Sequence, residues 1–231
     1  MATFSVLLLT ASPGGTAGDT GGAFVKIDGR EALLRTVELF LNRDNVTQIQ
    51  VCILPEAIEE AKRKYAAHLS FAGVKVLTAG PKWIDQLVAA VPKIAADCTH
   101  VIVHDAARPA LPYTDLEALM ELAEKHEAVA LTASLRTALV EVDEGGNAMA
   151  IHPASQFLHL LSPQIYSRKK FDDIAKTRQE PHASQLHLLK GSPFNVRVGS
   201  VGDAALLKAM MNLMPKPKVK GPTNPFEEAQ W

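Results

Sequence analysis

The chain has 231 residues, 47% hydrophobic and 21% charged, with a formal net charge of -1 at pH 7, a balance that gives no electrostatic reason for a nucleic acid or a membrane surface as partner. Residues 1–5 lack the positive charge of a signal peptide, and residues 6–9 are too short for a membrane span, so a cytoplasmic location is expected. Cys52 and Cys98 lie in or beside apolar, strand-like runs and read as buried thiols, and the eight histidines show no zinc-ligand spacing.

Residues 4–10 form a short apolar run that leads into a glycine-rich stretch, residues 11–22, which includes Ala11, Ser12, Gly14, Gly15, Thr16 and Gly18. A strand followed by such a loop suits phosphate, because glycine lets backbone N–H groups approach an anion closely. The loop matches neither the Walker nor the Rossmann fingerprint, and a plain surface loop remains the alternative. Leu33, Val37 and Phe40 give residues 32–40 a helical spacing. Residues 49–54 then read as a strand, 56–70 as a helix opened by Pro55, 74–77 as a strand, and 84–94 as a helix with a late Pro92. Past a strand at Val101, residues 115–125 read as a helix with Thr114 as N-cap and Glu117 as its capping partner, and 129–133 as a strand. This alternation predicts an α/β fold: a single Rossmann-like domain with a mostly parallel, twisted sheet flanked by helices.

The alternation is interrupted once. Residues 138–142 and 148–152 flank Asp143-Glu144-Gly145-Gly146-Asn147, which predicts an inserted β-hairpin arm at about residues 137–157. So small a hairpin cannot bury Val140, Val142, Met149 and Ile151 within itself. It is expected to pack on a second copy of the chain, with folding back on its own domain as the alternative. Leu161-Ser162-Pro163-Gln164 reads as a break before a helix at 168–176, residues 195–198 as the last strand, and 201–213 as the last helix. The domain thus spans residues 1–213, and residues 214–231, rich in Pro and Lys without periodicity, read as a disordered or loosely docked tail.

The chemistry is expected at Val101-Ile102-Val103-His104-Asp105-Ala106-Ala107-Arg108-Pro109, a β-branched run that surfaces in a polar pair. In open α/β sheets ligands bind outside the carboxyl ends of the strands, which puts Asp105 where a metal or a hydroxyl is met. Arg108 carries a rigid fork that suits anionic oxygens. A simpler account has Asp105 capping the following turn, with Arg108 paired to it.

His104-Asp105-Ala106-Ala107-Arg108-Pro109, Ser162-Pro163-Gln164, and Phe24-Val25-Lys26-Ile27-Asp28-Gly29-Arg30 before a leucine-rich helix together resemble the 2-C-methyl-D-erythritol 4-phosphate cytidylyltransferase family, over roughly residues 4–213. The resemblance implies transfer of a cytidylyl group from CTP to a sugar-alcohol phosphate with release of pyrophosphate, an isoprenoid-precursor reaction that uses Mg2+. It also implies a homodimer clasped by the hairpin arm. Carried onto this chain, it makes Asp105 the metal ligand and Asp105 and Arg197 catalytic. It places Ala11, Ser12, Gly14, Gly15, Thr16, Gly18, Gln86, Asp105 and Ala106 at the nucleotide, and Arg108, Thr137, Ser162 and Arg197 at the acceptor.

The chain departs from the family where cations are expected. Thr16 falls at the loop arginine, Gly21 or Gly22 near the loop lysine, Trp83 at the arginine of a later nucleotide motif, Ala154 at a substrate-phosphate arginine, and Arg197 at a lysine. Lys26 follows a few residues after the missing lysine, but strand alternation points it to solvent. Removing one such donor typically costs about 10²-fold in rate, so transfer is expected to be weak. A cytidylyltransferase is therefore one expectation. The others are a catalytically impaired or inactive relative that binds a nucleotide or sugar phosphate, and a different nucleotide-sugar enzyme on the same fold.

Overall fold

Strand β1 (Phe4–Leu9) is buried at every position, and its alternating side chains face two different layers. In the computed structural model, which describes residues 2–11, 21–41 and 43–214, Val6 and Leu8 point into one core cluster and Leu7 and Leu9 into another. Ser12, Gly14, Gly15, Thr16, Gly18 and all of the tail beyond Met214 lie outside the described residues.

From the glycine-rich stretch the chain enters a short 3-10 turn and then the pair β2 (Lys26–Ile27) and β3 (Arg30–Glu31). Asp28 and Gly29 join this pair, both with positive φ, as a tight two-residue hairpin requires. Next come α1 (Ala32–Glu38), β4 (Val46–Ile53), α2 (Ile58–Phe71), β5 (Lys75–Thr78), α3 (Trp83–Ala90) and β6 (His100–Asp105). The second half holds α4 (Tyr113–Ala123), β7 (Ala128–Ser134), β8 (Leu139–Val142), β9 (Ala148–His152), β10 (Leu158–Ser167), α5 (Arg168–Thr177), β11 (His187–Lys190) and α6 (Val201–Leu213).

Seven strands form one sheet in the order β11-β7-β10-β6-β1-β4-β5. Neighbours pair in parallel except β10, which runs antiparallel to both β6 and β7. Apolar residues of α1, α2 and α4 cover one face, and Trp83, Leu87, Phe171 and Ile174 of α3 and α5 cover the other. The expected mostly parallel sheet between helix layers is therefore present. Helix α6 makes a smaller cluster in which Leu207 packs with Ile27, Ala110 and Val198.

Several local expectations are corrected. Helix α4 begins at Tyr113 after Pro112, and Thr114 does not cap it. Pro112 is suited to that entry, and Asp115 in the first turn accepts from the Ser192 N–H at 2.6 Å. The Leu161–Gln164 break falls inside β10, where the chain bulges between Leu160 and Gln164 around a cis Ser162–Pro163 bond. Pro163 has no N–H for the ladder, and a bulge accommodates it.

Residues 195–198 are not a strand. Their backbone groups make single contacts, such as Val198 N–H to Ala107 C=O at 2.8 Å, and among the described residues the last strand is β11, paired with β7. Strands β8 and β9 form the expected two-stranded hairpin, with Val140, Val142, Met149 and Ile151 more than half exposed.

Candidate active site

Asp105 ends β6 and its side chain is 4% exposed. One carboxylate oxygen, Oδ1, accepts the Ala107 N–H at 2.9 Å, so the residue does cap the turn that follows the strand. The other, Oδ2, accepts Arg197 Nε at 2.9 Å and lies 3.6 Å from Arg108 Nε. Two guanidinium groups thus converge on one carboxylate at the carboxyl end of the sheet. Burial pushes the Arg108 pKa down while Asp105 opposes the shift. Its Nη1 is fixed 2.7 Å from the carbonyl of Asn195. Planar, weakly hydrated guanidinium groups tolerate such burial and bind phosphate oxygens in a set orientation.

The small residues after Asp105 hold the floor of the site. Ala106 donates to the Leu9 carbonyl at 2.7 Å, and its own carbonyl accepts Thr36 Oγ1 from α1 at 3.0 Å. Ser162, from the β10 bulge, meets the same turn: its Oγ accepts the Asp105 N–H at 3.1 Å and lies 3.0 Å from His104 Nδ1. Asp105, Ala106, Arg108, Ser162 and Arg197 are therefore brought together from three stretches distant in sequence.

The remaining expected residues lie elsewhere or have other partners. The Gln86 side chain is fully buried; its amide oxygen accepts the Thr10 N–H at 3.0 Å and its amide nitrogen donates to the Gly80 carbonyl at 3.1 Å. Gln86 thus anchors the end of β1, and with it Ala11, where the glycine-rich stretch departs. Thr137 sits exposed between β7 and β8, at the start of the arm. Trp83 is buried and lines, with Leu9, Ala11, Asp105 and Ser162, a cavity of about 10 Å³, room for about one water.

Gly22 has no space for any side chain: a Cβ there meets the Val198 carbonyl oxygen at 1.9 Å. Lys26 is 66% exposed and lies 3.7 Å from Glu31, on the outer surface as alternation requires. Sequence reasoning missed His104 as a bridge between Ser162 and Arg108, and Asn195, whose side-chain amide donates to the Ser162 carbonyl at 2.6 Å. The signals for His104 were its place at the head of the His104–Pro109 motif and its position as a histidine inside an otherwise apolar strand.

Among the described residues no group of three His, Cys, Asp or Glu side chains converges as a metal cage. A hard cation such as Mg2+ takes oxygen ligands and is commonly held by one or two carboxylates plus substrate phosphates and water, so the single Asp105 carboxylate fits that kind of site.

The chain matches the family model described as IspD, 2-C-methyl-D-erythritol 4-phosphate cytidylyltransferase, over residues 6–212. Among proteins bearing the name 2-C-methyl-D-erythritol 4-phosphate cytidylyltransferase, that of Shigella flexneri serotype 5b is 30% identical over 153 residues, covering 65% of this chain and 63% of the relative. That of Clostridioides difficile is 24% identical over 143 residues, covering 62% and 60%. The chain thus spans less than two thirds of the length of these relatives.

The 4-diphosphocytidyl-2C-methyl-D-erythritol synthase structure from Anaerococcus prevotii superposes with a TM-score of 0.72 at 13% identity, over 91% of this chain and 96% of that one. The structure of 2-C-methyl-D-erythritol 4-phosphate cytidylyltransferase from Thermus thermophilus gives 0.69 at 19%, over 92% and 100%. These likenesses establish the fold. With the family match running from β1 to α6, the chain belongs to the 2-C-methyl-D-erythritol 4-phosphate cytidylyltransferase family.

Proposed function

We propose that the protein transfers a cytidylyl group from CTP to 2-C-methyl-D-erythritol 4-phosphate and releases pyrophosphate. The observation that carries this reading is the convergence of Arg108 and Arg197 on the buried Asp105 at the carboxyl end of β6. In the reaction an oxygen of the acceptor phosphate forms a bond to the α-phosphorus of CTP, and the bond from that phosphorus to the bridging oxygen breaks. Phosphoryl chemistry of this kind depends on positioning and on charge stabilisation around the phosphorus. Asp105 would hold Mg2+, which when bound supplies positive charge at the triphosphate. Arg108, fixed through Asn195, orients the acceptor phosphate. Arg197, 21% exposed beside Asp105, presents the second guanidinium to incoming phosphate oxygens.

The family membership favours transfer over an inactive relative, and Arg108 and Arg197 provide cationic groups at the site where the loop positions carry none. Thr137 and the glycine-rich stretch belong to the same reading as acceptor and nucleotide contacts, and the arm as the contact with a second copy. The test is pyrophosphate release with CTP, the acceptor and Mg2+. Asp105→Asn is expected to lose about 10²-fold or more in kcat, and Arg108→Ala to raise KM for the acceptor more than for CTP. Asp105→Asn with the turnover of the unaltered protein would sink the assignment.

A further inference from the structure

We propose that His104 is a positioning residue of this site: it closes a ring of hydrogen bonds that holds Asp105 and Arg108 in the arrangement the transfer uses, a role that rests on the cytidylyltransferase reading. Each bond in the ring has one possible direction. The Arg108 carbonyl oxygen, 3.1 Å from His104 Nε2, can only accept, so Nε2 carries the ring proton. Ser162 Oγ accepts the Asp105 N–H, and its own proton goes to His104 Nδ1 at 3.0 Å. The Ser162 carbonyl accepts the Asn195 side-chain amide, and the Asn195 carbonyl accepts the Arg108 guanidinium.

Arg108 is thus held at both ends, at its backbone by His104 and at its side chain by Asn195. The ring of Phe40, 5.5 Å away at 66°, packs edge-on against the imidazole and fixes its plane. The histidine is 1% exposed, so it reaches no substrate and acts only through its neighbours. Ser162 has one proton, and it is committed to His104. The hydroxyl therefore serves the ring and offers no donor to a substrate phosphate.

The experiment compares His104→Leu and His104→Gln with the unaltered chain, using CTP, the acceptor and Mg2+, with thermal unfolding as a check on folding. Displacement of the reacting groups by about 1 Å is enough to cost about 10²-fold, so His104→Leu is expected to lose about that in kcat while the Kd for CTP stays within about threefold. His104→Gln, whose amide supplies both a donor and an acceptor, is expected to recover about tenfold of the loss. Equal losses in both variants, or no loss in His104→Leu, would overturn the proposal.

Imidazole nitrogen NMR of the unaltered protein at pH 7 gives a readout that does not depend on any variant folding. The Nε2-protonated tautomer is expected, and an Nδ1-protonated ring overturns the proposal. Absence of transfer in the unaltered protein would refute the functional reading and with it any role in transfer. That outcome is distinguishable, because the tautomer still reports whether the ring exists.

Discussion

At the scale of single residues, the site is built from groups whose freedom has been removed. Asp105 is fixed by the Ala107 N–H and by Arg197, and the turn beneath it is pressed against Gly22 and Val198. Gly22→Ala is expected to destabilise the protein by about 1–3 kcal/mol through overpacking, since backbone must move to admit the methyl group. Chemical denaturation measures this, and an unchanged midpoint would refute it. Burial pushes the His104 pKa down to about 4 from an ordinary value of 6.5. Between those values the unfolded chain binds a proton that the folded one refuses. Stability therefore falls as pH drops from 6.5 toward about 4, by about 3 kcal/mol for this group, and the imidazole adds no pH dependence above pH 7. Urea midpoints in the metal-free protein should follow that direction, and the slope should be shallower in His104→Leu, with His100, whose pKa burial also pushes down, still contributing. Asp105, Arg108 and Ser162 were legible because they sit in short local motifs. Asn195 and the role of His104 were not: Asn195 meets Arg108 and Ser162, 87 and 33 residues away, and His104 acts as a bridge only through Ser162, 58 residues on, contacts that no local spacing encodes.

At the scale of elements, hydrophobic patterning located most helices and strands, since burial of one helix face and both faces of a central strand leaves a direct mark on composition. Helix α6 and the hairpin are legible almost to the residue. The misreadings came where tertiary contacts override local signals. Pro163 reads as a chain break, but β10 passes through it by bulging. Residues 195–198 alternate like a strand, yet Asn195 and Arg197 direct their side chains to the site and no ladder forms. Gln86 shows the same override: its amide ties α3 to the end of β1 and fixes where the glycine-rich stretch departs. Gln86→Leu leaves the buried Thr10 N–H unpaired and is expected to cost about 1–3 kcal/mol. The accompanying rise in KM for CTP should exceed any change in KM for the acceptor, and equal changes would contradict the anchoring role.

At the scale of the whole molecule, the sheet places one chemically dense cluster at its carboxyl edge and leaves an apolar hairpin standing on the surface. The order of elements made the architecture legible, but a single chain does not encode in any local pattern what covers Val140, Val142, Met149 and Ile151. If a second copy covers them, light scattering at tens of micromolar protein, a range set by ordinary dimer affinities, reports a dimer that Val140→Asp with Ile151→Asp converts to monomer. A monomeric unaltered protein would refute this. Cytidylyl transfer at the Asp105 cluster, as proposed, is read out most directly by phosphorus NMR of the reaction mixture. With CTP, 2-C-methyl-D-erythritol 4-phosphate and Mg2+, the unaltered protein is expected to form a new diphosphate diester and one equivalent of pyrophosphate, and Asp105→Asn to form both about 10²-fold or more slowly; unchanged CTP with the unaltered protein would contradict this.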